Sequence, residues 1–194
     1  MDNTGAFPKR ILLLGKSGSG KSTLGKTLSA LLNIEHIEMD RIFWKPNWVK
    51  KPQDEMRVEV DERVRADGEW IVDGNYRFLA DITWQRAELI IWLDYPILVV
   101  LWRLILRSLW RIWTGAKVCG DNYESGAALF WPTREYNILL CCIGEMEKHN
   151  NDYPKYMKEY GAADKIIIFK QQAELDGWLE KVQRELEMKS KKQE

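Results

Sequence analysis

The sequence predicts an α/β protein: a five-stranded parallel sheet with helices packed on both faces. Three observations lead there. Five short apolar runs, RILLL (10–14), IEHIEMD (34–40), EWIVD (69–73), ELIIWLD (88–94) and KIIIF (165–169), are bounded by turn residues. The segments between them repeat apolar residues at three- and four-residue steps, the period of a helix face. ELIIWLD is apolar at consecutive rather than alternate positions, as strands covered on both faces are. Strand and helix in alternation mean parallel strands joined by helical crossovers.

RILLL leads straight into GKSGSGKS (15–22), after which Leu24, Leu28, Leu31 and Leu32 mark a helix face that stops at Asn33. The second strand closes at Asp40. Residues 41–53, with Pro46, Asn47 and Pro52, predict a loop. Met56, Val60 and Val64 mark a helix over 54–66, broken by Asp67 and Gly68. The third strand closes at Asp73, ahead of Gly74 and a short helix over 77–86. After the fourth strand, Pro96 opens a long helix, as proline does at a first helical position. Residues 114–132 read as irregular around Gly115, Gly120 and Gly126. A helix over 133–148 carries Leu139, Ile143 and Met146 on one side and ends at HNNDYP. The last helix puts Leu175, Trp178, Leu179, Val182 and Leu186 on one face, and the tail KSKKQE is expected to fray.

The 194 residues suffice for one domain with a real core. Lysine and arginine total 29, as do aspartate and glutamate, which argues against a nucleic-acid binder driven by bulk charge. Cys119, Cys141 and Cys142 form no ligand spacing and suggest reduced thiols in a cytoplasmic protein. With only His36 and His149 present, no histidine-based metal site is expected. No signal peptide is read at the start. Arg103, Arg107 and Arg111 interrupt the apolar segment 95–113, which excludes a membrane span and leaves an interfacial helix as an alternative.

Residues 15–22 match G-x-x-x-x-G-K-[ST], the phosphate-binding P-loop, with the required strand before and helix after. Its glycines let backbone N–H groups turn inward around an anion, and the dipole of the following helix favours the same negative charge. Gly15, Lys16, Ser17, Gly18, Ser19, Gly20, Lys21, Ser22 and Thr23 are therefore candidates to bind ATP, Lys21 reaching the β- and γ-phosphates. Ser22 is a candidate magnesium ligand. A flexible Gly/Ser turn would explain the glycines but not the lysine and serine at the helix start.

Ligands of parallel sheets bind outside the carboxyl ends of the strands. Asp73 at one such end is a candidate to hold magnesium through water, against a plain Asp-Gly turn. Asp40 at another could take a proton from an acceptor hydroxyl or simply face water. Arg77 could grip an anionic acceptor in bidentate fashion or lie on the surface. Arg103, Arg107 and Arg111 share a helix stripe and could stabilise a transferring phosphoryl group; the plain alternative is a solvated stripe. Trp44 and Trp48 either stack on a substrate base or form the core of a small lobe.

GKSGSGKS, MDRIFWKPNW, WIVDGNYR and IIWLDYP resemble the P-loop NTPases of the adenylate kinase-like group, most closely its bacterial DNA topology modulation protein branch. The resemblance covers most of residues 10–182 and is most specific over the first 96. It implies a three-layer fold with strand order 2-3-1-4-5 and a small lid after the fourth strand. It also implies that DGNYR corresponds to the D-G-F-P-R of adenylate kinases, giving Asp73 to magnesium and Arg77 to the acceptor phosphate. Asn75 and Tyr76 replace the Phe and Pro of that pattern, and in GDNYES (120–125) Tyr123 stands where arginine is expected. The expectation is one domain over 1–194, with an acceptor-side insertion at 41–68 and a lid at 108–132. Its activity would be phosphoryl transfer from ATP with magnesium to a nucleotide, nucleoside or other small metabolite. The alternatives are a nucleotide-sensing regulatory protein and a slow ATPase acting with a partner.

Overall fold

A computed structural model describes residues 7–126 and 137–190. The five apolar runs form one parallel sheet. Its strands are β1 (Arg10–Gly15), β2 (His36–Glu38), β5 (Trp70–Asp73), β6 (Leu89–Leu93) and β9 (Ile166–Phe169), in the order β2-β5-β1-β6-β9. Counting only these strands, that is the order 2-3-1-4-5. β1 lies in the centre, Leu13 level with Asp73 on one side and with Ile91 on the other.

Strand pleating sends alternate residues to opposite faces, so the sheet has two cores. Leu12, Leu14, Val72, Ile90 and Trp92 pack on one side with Met56, Val60, Trp84 and Tyr153. Ile11, Leu13, Ile71, Ile91 and Leu93 pack on the other with Leu24, Leu28, Val100 and Leu104. Each fully buried aliphatic side chain contributes about 1.5–3 kcal/mol. The consecutive apolar residues of RILLL and LIIWL therefore stabilise both layers at once.

The crossovers are α1 (Lys21–Leu32), α3 (Gln53–Arg63), α4 (Ala80–Arg86), α5 (Ile97–Thr114) and α6 (Ile138–Glu159), and α7 (Gln172–Ser190) closes the described chain. α1 ends at Asn33, whose left-handed φ of 56° lets its N–H return to the Ser29 carbonyl. Met56 and Val60 of α3 are buried as their spacing predicts, and Val64 caps the helix. No helix among the described residues is long and apolar enough to cross a membrane.

Three segments depart from the sequence reading. The second strand stops at Glu38, and Asp40 belongs to a short helix, α2 (Met39–Phe43). Residues 41–53 are not a plain loop. They continue from α2 into a hairpin, β3 (Trp44–Lys45) with β4 (Val49–Lys50), turning through Asn47 and Trp48 at φ 62° and 57°. Lys45 pairs with Val49 across the three residues Pro46–Trp48, and left-handed φ is common for Asn47 but rare for a residue like Trp48. Finally, α6 does not end at HNNDYP but runs through Pro154 to Glu159. Tyr153, 2% exposed, packs its ring against Trp84, Trp92 and His149, and this burial outweighs the local helix-breaking tendency.

The expected lid begins as helix, since α5 continues to Thr114. A second hairpin follows, β7 (Lys117–Val118) with β8 (Asn122–Tyr123). The rest of the expected lid, from 127 to 132, lies outside the described residues, as does the expected start of the following helix at 133–136.

Candidate active site

The sheet order reverses beside β1, and the loop 15–20 leaves β1 at its carboxyl end, where α/β folds place ligands. The loop's shape requires its glycines. Gly20 has φ 101° and opens onto empty space, so its role is conformational. Gly18, at φ 86°, lies so close to α5 that a Cβ would stand 2.9 Å from the Val100 carbonyl oxygen. The loop is thus seated on α5, and its next turn enters α1 at Lys21.

Lys21 Nζ donates to the Gly15 and Lys16 carbonyls at 2.9 and 3.1 Å, which holds the ammonium over the loop. Lys16 turns the other way, to Asp94 Oδ1 at 3.0 Å, and is 5% exposed. The Ser17 N–H donates to Glu145 Oε2 of α6 at 2.8 Å, so a loop amide already holds a carboxylate. Cys142 of the same helix donates its thiol to the Ser17 carbonyl at 3.5 Å.

Asp73 ends β5 beside the first turn of α1. Burial pushes its carboxyl pKa up, but His36, Lys21 and the Ser22 hydroxyl together outweigh that and leave it below the ordinary carboxylate value. His36 Nε2 stands 3.6 Å from Asp73 Oδ2. The imidazole fits because Gly25 faces it: a Cβ there would lie 2.2 Å from His36 Nε2. Lys21, Ser22 and Asp73 are thus brought together, as the sequence suggested, and His36 joins them.

The remaining candidates divide. Asp40 accepts from the Tyr76 hydroxyl at 2.6 Å; burial first, and Asp40 after it, push the Tyr76 phenol far above its ordinary pKa. Trp44 lies edge-on to Phe43 and Trp48, centroids 4.8 and 5.5 Å away, and Phe43 continues to Tyr76. Arg77 is held by Asp152 at 2.5 Å. The three arginines of α5 do not converge. Arg103 sits over the Tyr95 ring and donates to Gln172 at 3.2 Å. Arg111 pairs with Glu124 at 2.5 Å. Arg107 lies between these two. Its Nε has no hydrogen-bond partner among the described residues, and burial, then Arg111, lowers its pKa while Glu124 and Asp40 oppose the shift. An arginine in that state is suited to an anion.

Asn122, 2% exposed, ties the two hairpins together. It accepts from the Trp48 N–H at 2.8 Å and donates to the Lys45 and Cys119 carbonyls at 3.2 and 3.1 Å. Sequence reasoning missed His36, Asp94, Glu145, Tyr76 and Asn122. Asp94 and Tyr76 had signals: Asp94 follows the fourth strand as Asp73 ends the third, and Tyr76 stands inside DGNYR. Glu145 and Asn122 had none, since their partners lie 128 and 74 residues away.

No protein-family model matches the chain. Over 117 residues it is 31% identical to the uncharacterized protein YqaC of Bacillus subtilis (strain 168), spanning 60% of this chain and 66% of that protein. Over 68 residues it is 35% identical to a shikimate kinase of Mannheimia succiniciproducens, spanning 35% of this chain and 29% of that protein. The chain thus spans less than two thirds of the length of these curated relatives. The crystal structure of a shikimate kinase from Bacteroides thetaiotaomicron aligns over 93% of this chain and 99% of that one, with a TM-score of 0.54 at 18% identity. Parallel sheet order, glycine loop and structural likeness together place this chain in the P-loop kinase-like fold.

Proposed function

We propose that the chain is an ATP- and magnesium-dependent phosphotransferase whose acceptor is a nucleotide, a nucleoside or another small metabolite. One observation carries this reading: Lys21, Ser22 and Asp73 converge at the glycine loop that leaves the central strand. The amides of Gly15–Thr23 and the Lys21 ammonium bind the β- and γ-phosphates. The carboxylate already held by the Ser17 amide supports the loop's capacity for an anion. Ser22 and Asp73 fit magnesium, a hard cation that takes one or two protein oxygens and leaves its other positions to water and phosphate. Held by Ser22 and Asp73, such a cation would supply positive charge to offset that of the phosphates.

His36 Nε2, buried without a hydrogen-bond partner among the described residues, lies 3.6 Å from the Asp73 carboxylate and borders this site. Asp40, held by Tyr76, accepts the acceptor hydroxyl's hydrogen bond and then its proton. Arg107, the least committed of the α5 arginines, stabilises charge on the transferred group, with Arg111 beside it. Arg103 and Arg77 lie at the margin of this arrangement, and Trp44 lines the acceptor side. Catalysis is then mostly positioning and electrostatics. Within the adenylate kinase-like group we place the chain nearest the DNA topology modulation protein branch, on the four motifs that carry that resemblance.

The contact of Glu145 with the loop favours a second reading, a nucleotide sensor, because a triphosphate must displace this carboxylate from the Ser17 amide to use it. Incubation with ATP, magnesium and a panel of nucleosides, nucleotides and sugars separates the two. Phosphorylated product above ATP hydrolysis supports the kinase, and tight ATP binding without product across the panel supports the sensor. Lys21→Ala is expected to weaken ATP binding roughly 10- to 100-fold by calorimetry, the worth of a charge-assisted contact, while the urea midpoint stays in place. Unchanged affinity would remove the basis of both readings.

A further inference from the structure

Surface helices ordinarily bury an apolar stripe and show water a charged one. α5 buries Val100 and Leu104 in the core but shows water a second apolar stripe in place of a charged one. Its exposed positions are Leu98, Val99, Trp102, Leu106, Leu109, Trp110, Trp113 and Thr114, none of them charged. Trp113 is 85% exposed, Leu98 78% and Trp102 62%. The arginines of the same helix are turned away from this face: Arg103 to Tyr95 and Gln172, Arg111 to Glu124, and Arg107 into a largely buried position.

The size of the face is telling. Weighted by their exposure, its three tryptophans alone offer about 500 Å², taking ~250 Å² for a whole tryptophan. The exposed leucines and Val99 add several hundred more, whereas the largest apolar patch on a typical monomer is roughly 300–600 Å². A stable dimer needs about 800 Å² from each partner, which this face supplies.

Its spacing selects a helix as the partner. Val99, Trp102, Leu106, Leu109 and Trp113 follow one another at steps of three, four, three and four residues, the seam of helix-on-helix packing. The face also complements itself. Turning a copy about a two-fold axis beside Leu106 sets Leu106 against Leu106, Trp102 against Trp110, and the small Val99 against the large Trp113. No charges oppose one another, and each helix start lies beside the other's end, which the helix dipoles favour. A lipid surface is a poorer match, because interfacial helices flank their apolar face with exposed cations and α5 has none at its exposed positions.

We infer that α5 is the interface of a symmetric antiparallel dimer of this chain. This goes beyond the proposed phosphotransfer and does not rest on it. The test is the mass in solution of the full chain by sedimentation over a concentration series, followed by variants. The wild-type chain is expected to be a dimer. Leu106→Glu, which sets two carboxylates face to face at the axis, is expected to weaken association roughly 100-fold or more, the cost of apposed like charges. Its circular dichroism and ATP affinity should match the wild type, which separates loss of the interface from loss of the fold. Trp102→Glu and Trp110→Lys should each be monomeric alone and form a one-to-one heterodimer when mixed, because the antiparallel register pairs 102 with 110. A wild-type monomer at the highest concentration the chain tolerates overturns the inference, as does a dimer that survives Leu106→Glu. Binding of the monomer to phosphatidylcholine–phosphatidylserine vesicles, lost in Leu106→Glu, would assign the face to a membrane instead and equally overturn it.

Discussion

At Asp73 burial and neighbours act in opposite directions, and the neighbours win: the carboxyl pKa lies below its ordinary value. A carboxylate depressed on folding stabilises the native state above its unfolded pKa, and that contribution is lost as pH falls through the folded pKa. Asp73→Asn should therefore flatten the acid limb of a plot of urea midpoint against pH. The same variant should lower kcat more than ATP affinity, since the proposed magnesium contact is realised most fully during transfer. Equal losses of binding and turnover would count against that role. Gly25→Ala brings two effects into competition. Removing a helical glycine gains about 1 kcal/mol, but the new Cβ would meet the buried His36 ring, and overpacking costs roughly 1–3 kcal/mol. A net loss in chemical denaturation is expected, accompanied by a fall in turnover as His36 is displaced from Asp73. The thiols should also differ. Burial raises the Cys119 pKa to about 12 and that of Cys142 to about 11, whereas Cys141 is exposed. Alkylation at neutral pH followed by mass spectrometry should find Cys141 modified first.

Among the elements, α6 best illustrates local preference yielding to packing. A proline in a helix interior costs about 3 kcal/mol, which is why HNNDYP reads as a break. Tyr153 beside it is fully enclosed by Trp84, Trp92 and His149, and losing a buried aromatic ring costs about 3–5 kcal/mol. The two magnitudes are comparable, and Tyr156, also buried, tips the balance toward a continuous helix. Tyr153→Ala is expected to lower the unfolding free energy by about 3–4 kcal/mol in urea. A loss below ~1 kcal/mol would mean that the ring does not hold the helix together. Continuity has a consequence for the site, because the same helix carries Cys142 and Glu145 to the loop and Asp152 to Arg77. On α5, four-residue spacing correctly put three arginines on one stripe, but the helix turns about 40° in each such step. That drift, together with what packs alongside, sends Arg103 to Gln172 and Arg111 to Glu124.

For the molecule as a whole, the proposed ligand is linked to stability. ATP at 100 times its Kd stabilises the folded chain by about 2.7 kcal/mol. At roughly 2–4 °C per kcal/mol for a domain of this size, the melting temperature should rise by about 5–10 °C. In Lys21→Ala, with its 10- to 100-fold weaker binding, the rise at the same concentration should shrink to about 1–6 °C. A shift of equal size in that variant would place ATP elsewhere.

The sequence by itself determined the five apolar strands, the glycine loop and the position of Asp73 at the end of the third strand. Each is written in contiguous residues whose period, turn chemistry or steric freedom fixes the local shape, so no distant partner is needed to read them. Only the tertiary structure decided which charges meet: Lys16 with Asp94, Ser17 with Glu145, Tyr76 with Asp40. It alone decided, too, that the cations of α5 turn inward and its tryptophans outward. A helical repeat shows that a helix has two faces. Which face is covered depends on the elements that crossovers bring beside it, and those lie far away along the chain.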